Sequence, residues 1–241
     1  MEILGLKISE RAQDLVHEVE NLFSKNIHVK YGNMTIGANE TYISTIVDGV
    51  PTIIIKQGQK VDEENLVHEI WHLIMRGENQ IHTIGFDGDL ITFLRKNYEF
   101  SCLQILLNKA HSILHHSYFF SKMLKDGYFP SRYILEMFSK VERTYPHNLG
   151  YDCALDEHVA LDVFHIFLGI NEDEPRVNLF LEGIQRNCPN GFELGKVLFD
   201  EMKDFRSASD EPKYFILILK KLFNYKSEIK VSRLGYECVY S

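Results

Sequence analysis

Apolar residues first recur at helical spacing in SERAQDLVHEVENLFSK, residues 9–25, where Leu15, Val16, Val19, Leu22 and Phe23 share one face. Ser9 is placed to cap that helix. The pattern then turns β-branched in IHVKY, TYISTIV and PTIIIK, and Asp48-Gly49 between the last two is a hairpin signal. Pro51 lacks an N–H, which predicts that its strand lies at an edge or begins late. From residue 62 onward nearly everything reads helical. Asp62 caps a helix whose first turn carries Glu63 and Glu64, and Gly77 is placed to end it. Further helical patterns cover about 92–116, 131–143, 152–169, 175–187, 192–205 and 212–224. The tail EIKVSRLGYECVY suits short strands. The expected class is α+β: a small N-terminal sheet, containing an antiparallel hairpin, packed on a predominantly helical body.

At 241 residues the chain can build one large domain or two small ones. A formal charge of −8 disfavours non-specific nucleic-acid binding, which needs a basic face. The opening MEILGLKISE has no basic segment followed by an apolar stretch, so it does not read as a signal peptide. The run YFILIL, 214–219, is far too short to span a bilayer. Cys102, Cys153, Cys188 and Cys238 are widely spaced, which favours free buried thiols over a disulfide framework. These features point to a cytoplasmic protein.

The chemistry concentrates in NLVHEIWHLIMRG, residues 65–77. His68 and His72 stand four residues apart, which puts two imidazoles on one helical face, one turn apart. Both can bind one tetrahedral Zn²⁺. Glu69 can reach a water on that metal and serve as general base for hydrolysis. Leu66, Val67, Ile70, Trp71, Leu73 and Ile74 make the helix apolar almost all round, so it is expected to be buried. Burying two histidines and a glutamate is costly unless something satisfies them, and a metal does.

A catalytic zinc wants a third protein ligand plus water. The metzincin pattern needs glycine at position 75 and histidine at 78, where the chain has Met75 and Glu78. Thermolysin-like spacing needs a glutamate near 91 or 92, where Ile91 and Thr92 stand, and no cysteine precedes His68 to serve as in peptide deformylases. Glu99 is the first candidate, because on a wheel it joins a stripe of Cys102, Leu103, Leu106, Ala110 and Ile113. Glu157 is the alternative, in a stripe with Cys153, Ala160, Leu161, Phe164 and Leu168. His111, His115 and His116 fall largely opposite Glu99 and read as a solvated or partner-facing surface. His82, His147, His158, His165, Tyr98 and Tyr151 are weaker candidates for oxyanion donors.

A leading helix, a short sheet with a hairpin, LVHEIWHLI on a helix and a glutamate on the next long helix resemble the ImmA/IrrE-type zinc peptidases, a gluzincin-like group. The resemblance covers roughly residues 9–116. It implies a zincin-like core over residues 1–116, with His68, His72 and Glu99 as zinc ligands and Glu69 as base. The C-terminal half, 117–241, has no counterpart in it and is expected to pack on the same core. The resulting expectation is a cytoplasmic zinc metallopeptidase acting on a peptide or protein, with no membrane partner. A regulatory or defence-related binding module, whose zinc site is structural or vestigial, is the alternative.

Overall fold

A computed structural model of the chain describes residues 1–33, 41–79, 85–86, 88–128, 155–169, 175–207, 210–226, 229–233 and 236–240. The class is α+β, predominantly helical with small sheets. Two compact units are distinguished: Met1–His82 with Asp126–Tyr128, and Thr83–Lys125 with Phe129–Ser241.

In the first unit, strands β1 (Glu2–Ile3) and β2 (Leu6–Lys7) form a minimal antiparallel pair. Helix α1 (Glu10–Phe23) follows, and the Ser9 hydroxyl accepts from the Ala12 N–H at 3.2 Å, as the sequence predicts. Its face of Ala12, Leu15, Val16 and Val19 is buried, whereas Leu22 at its end is exposed.

Strands β3 (His28–Gly32), β4 (Tyr42–Val47) and β5 (Val50–Lys56) form a mixed sheet in the order β3-β5-β4. The β4–β5 hairpin turns through Asp48 at φ 52° and Gly49 at φ 73°. Two consecutive residues with positive φ make the turn whose twist suits a two-residue hairpin. Of the two placements expected for the Pro51 strand, the edge is ruled out because β5 is central, while its pairing with β3 does begin late. The ladder explains why proline is tolerated. Pairing with β3 starts only at Thr52, opposite His28. Val47 and Val50 close the hairpin, so the next pair, Ile46 with Pro51, is one whose backbone groups point away from each other. Proline therefore sits where no ladder donor is needed.

Helix α2 (Glu63–Asn79) packs on α1 and against β4 and β5. Asp62 caps it through the Asn65 N–H at 2.9 Å. The helix is buried as its composition requires, with Leu66, Val67, Ile70, Leu73, Ile74 and Met75 all inaccessible. Gly77 does not end α2. It lies inside the last turn, where a Cβ would meet Leu22 Cβ at 2.9 Å and Phe23 Cε2 at 3.0 Å. Its role is the close approach of α1, not a stop signal.

The second unit holds α3 (Gly88–Asn97), α4 (Phe100–Lys125), α5 (Leu155–Gly169), α6 (Pro175–Asn187), α7 (Pro189–Glu201), a 3₁₀ turn (Met202–Asp204) and α8 (Glu211–Leu222). A three-stranded antiparallel sheet of β6 (Gly85–Phe86), β7 (Ile229–Arg233) and β8 (Tyr236–Tyr240) completes it, so the tail does form strands. The single helix expected over 92–116 is broken: Asn97 Nδ2 donates to the Phe93 carbonyl at 2.7 Å, and a new helix starts at Phe100. The division read at 116/117 falls inside α4. The helix expected at 131–143 lies outside the described residues.

α5 and α7 pack closely because Gly191 and Gly195 face α5. A Cβ on Gly195 would stand 2.7 Å from the Ala160 carbonyl and from Val163. Val159, Val163, Ile166, Val177, Leu181, Ile184 and Phe192 form the core cluster around that contact. Cys188 is free, but Cys102 is disulfide-bonded. The expectation of free thiols thus fails at Cys102, and with it one ground for a reducing compartment. Among the described residues, no helix is long and apolar enough to cross a membrane.

Candidate functional site

Three side chains of α2 define the candidate site. His68 and His72, one turn apart, bring their Nε2 atoms to 3.2 Å, with ring centroids 4.9 Å apart and planes at 72°. Two zinc–nitrogen bonds of roughly 2.0–2.1 Å at a tetrahedral angle place their nitrogens about 3.3 Å apart. The pair already has this spacing, so a cation would take the place of the single proton the two rings can share. His68 is 7% exposed, and burial pushes its pKa down to about 4. It therefore stays neutral through the physiological range and needs no deprotonation to act as a ligand. His72 is half-buried and lies toward the more open end of the pair.

Glu69, the next residue around the helix, faces the sheet. Its Oε2 accepts from the Ser44 N–H at 2.9 Å. Two turns further along α2, Arg76 Nη1 donates to the Ser44 carbonyl at 2.7 Å. The ladder explains why Ser44 is available for both. Ser44 pairs with Ile53 at a position where the backbone N–H and C=O point away from β5, toward the outer edge of β4. Ser44 is itself 5% exposed, so both groups need partners, and α2 supplies them. This finding bears on substrate alignment. At Ser44 the outer edge of β4 is occupied by α2, so its backbone groups there are not open to pairing with an extended substrate.

The two carboxylates expected as third ligands both lie in the second unit. Glu99 is exposed, contrary to the burial its stripe suggests. It stands one residue ahead of α4, where its carbonyl accepts the Leu103 N–H at 2.9 Å. The stripe of Cys102, Leu103, Leu106, Ala110 and Ile113 is buried, but it begins after Glu99. Glu157 is half-buried on α5, and its Oε1 accepts from the Tyr98 hydroxyl at 2.7 Å. Burial first, and that carboxylate second, push the Tyr98 hydroxyl well above its ordinary pKa.

The histidines of HSILHH overturn an expectation. His115 and His116 are 2% and 0% exposed, so they do not form a solvated surface. His116 Nδ1 lies 2.7 Å from His165 Nε2, and the two rings stack. His115, with half-exposed His111, converges on Glu211. Glu211 is buried at the start of α8, and sequence reasoning missed it because SASDEP reads as loop. The usable signal was an acidic residue directly ahead of Pro212, which opens a helix carrying the apolar run YFILIL. Burial pushes the Glu211 carboxyl up, but hydrogen bonds from His111 and His115 outweigh it and hold the pKa at about 2. His158 is half-buried, and burial lowers its pKa. His82, His147 and Tyr151 lie outside the described residues. Buried groups of histidine and glutamate could thus hold a metal ion.

No protein-family profile, curated protein or solved structure matches the chain.

Proposed function

We propose that the chain is a zinc-dependent hydrolase of peptide bonds, of the gluzincin-like kind that LVHEIWHLI resembles, with α2 as its active-site helix. The observation that carries this reading is the 3.2 Å approach of two histidine Nε2 atoms on a buried helix, with a glutamate between them in sequence. His68 and His72 would hold the cation through these nitrogens. Zinc bound there supplies Lewis acidity and lowers the pKa of water to about 7. Glu69 takes the proton from the attacking water and returns it to the leaving amine. The Ser44 N–H holds the Glu69 carboxylate in place, which limits the reorganisation needed during proton transfer. The substrate is a peptide or a protein, and a regulatory protein would fit the resemblance.

One observation favours a second reading. Glu69 also ties α2 to β4, so it has a structural task independent of any reaction. On that reading the zinc stabilises a regulatory or defence-related binding module. Incubation of zinc-loaded protein with a diverse peptide library, read by mass spectrometry, separates the two. The hydrolase reading expects cleavage by wild type and none by Glu69→Gln, with zinc content equal in both. Absence of cleavage by wild type, or equal cleavage by the variant, contradicts it.

A further inference from the structure

His111, His115 and Glu211 have no part in the α2 site, yet they form a set of three converging donors within the second unit. His111 and His115 lie one turn apart on α4. Glu211, the first residue of α8, comes from elsewhere in the sequence and brings one oxygen to both rings. Its Oε1 stands 2.8 Å from His111 Nε2 and 2.9 Å from His115 Nε2. All three ligand atoms lie within 4.8 Å of one another. We propose that these three residues form a second binding site for a divalent transition-metal ion of the zinc class, separate from the α2 histidine pair.

Three features support the proposal. The donor set is two imidazoles and one carboxylate, which suits zinc, nickel or copper and not magnesium or calcium, whose sites are built from oxygen. The spacing needs little change. Spreading ligand atoms from 2.8–2.9 Å to about 3.3 Å, the separation across a tetrahedral zinc, takes small side-chain rotations. Access is also built in. The His115 and Glu211 side chains are 3% and 5% exposed, whereas that of His111 is 41% exposed, so the set opens to solvent on one side. The Phe215 ring, edge-on to His111 with centroids 5.6 Å apart, limits the rotations open to that imidazole. Three protein ligands with one solvent-facing side leave a coordination position for water or an exchangeable anion, the arrangement of a reactive or regulatory ion.

The test is zinc stoichiometry after chelation, equilibrium dialysis against ZnCl₂ and elemental analysis. Wild type should hold one equivalent more than His111→Ala, a variant at a half-exposed position. Glu211→Gln, which keeps a hydrogen-bond acceptor, should lose the same equivalent. Equal zinc in wild type, His111→Ala and Glu211→Gln overturns the proposal and leaves the α2 site untouched. A His68→Ala/His72→Ala protein that keeps one equivalent, lost on adding His111→Ala, supports the second site by itself. Wild type holding one equivalent and His111→Ala none would support the second site and remove the α2 reading instead. Should the double variant fail to fold, the wild-type and His111→Ala pair still decides.

Discussion

Glu69 carries two tasks in this account, and they can be pulled apart by stability alone. Its Oε2 accepts the Ser44 N–H at 2.9 Å, and Ser44 is 5% exposed. Glu69→Gln keeps an acceptor and loses the charge assistance, a cost of about 1 kcal/mol. Glu69→Ala leaves the Ser44 N–H buried without that acceptor, a cost of about 1–3 kcal/mol for the stranded donor. A chain of this length shifts its Tm by about 2–4 °C per kcal/mol, so a loss of 2 kcal/mol reads as about 4–8 °C. Differential scanning calorimetry of the chelated proteins should therefore rank wild type, Glu69→Gln and Glu69→Ala in that order, with the alanine variant clearly lowest. Chelation removes metal from the comparison, so the ranking reports the protein contacts of Glu69, the Ser44 anchor among them. Equal Tm values for the alanine variant and wild type would refute the claim that Glu69 fastens α2 to β4. An alanine variant that melts low while the glutamine variant is near wild type also licenses Glu69→Gln as a clean probe of hydrolysis.

Other expectations follow from the same geometry. Gly195→Ala gains up to about 1 kcal/mol in helix propensity. Its Cβ, however, would lie 2.7 Å from the Ala160 carbonyl, which is backbone and cannot swing away. Urea unfolding should show a net loss of about 1–2 kcal/mol, and a stabilised variant would contradict the packing. Burial pushes the Glu63 carboxyl up, but hydrogen bonds from Ser9 and Tyr128 outweigh it and leave its pKa lowered. A depressed carboxylate stabilises the fold above its unfolded value of about 4.3 and loses that contribution as pH falls through the lowered one. Glu63→Gln should flatten this acidic limb of the stability curve, and an unchanged limb would show that the Ser9 and Tyr128 contacts do not matter. Zinc content of Glu99→Gln and Glu157→Gln proteins tests the third ligand proposed from the sequence. Loss in the first and retention in the second supports Glu99, and the reverse result supports Glu157.

Local chemistry made much of the first unit legible. Ser9 and Asp62 are caps because a short polar side chain ahead of an apolar periodic run can accept from the first-turn N–H groups. Asp48-Gly49 fixes its turn because both positions require positive φ. The burial of α2 followed from its apolar circumference. What was not legible depended on partners distant in sequence. Gly77 reads as a stop signal until α1 is seen packed on it. Pro51 leaves an edge strand and a late start equally open until the start of the β3 ladder is known. Glu99 joins a buried stripe on a wheel, but the helix begins one residue after it. The histidines of α4 read as surface because wheel position says nothing about how many neighbours cover a helix. Glu211 was invisible because its partners, His111 and His115, lie about a hundred residues earlier and no local pattern joins them.

The central claim is that His68 and His72 together hold a metal. X-ray absorption at the zinc edge tests it most directly, on His111→Ala protein carrying one equivalent of zinc. The account predicts two imidazole nitrogens at roughly 2.0–2.1 Å, lost when His68 and His72 are both replaced by alanine. A spectrum without imidazole, or one that survives the double replacement, would contradict it.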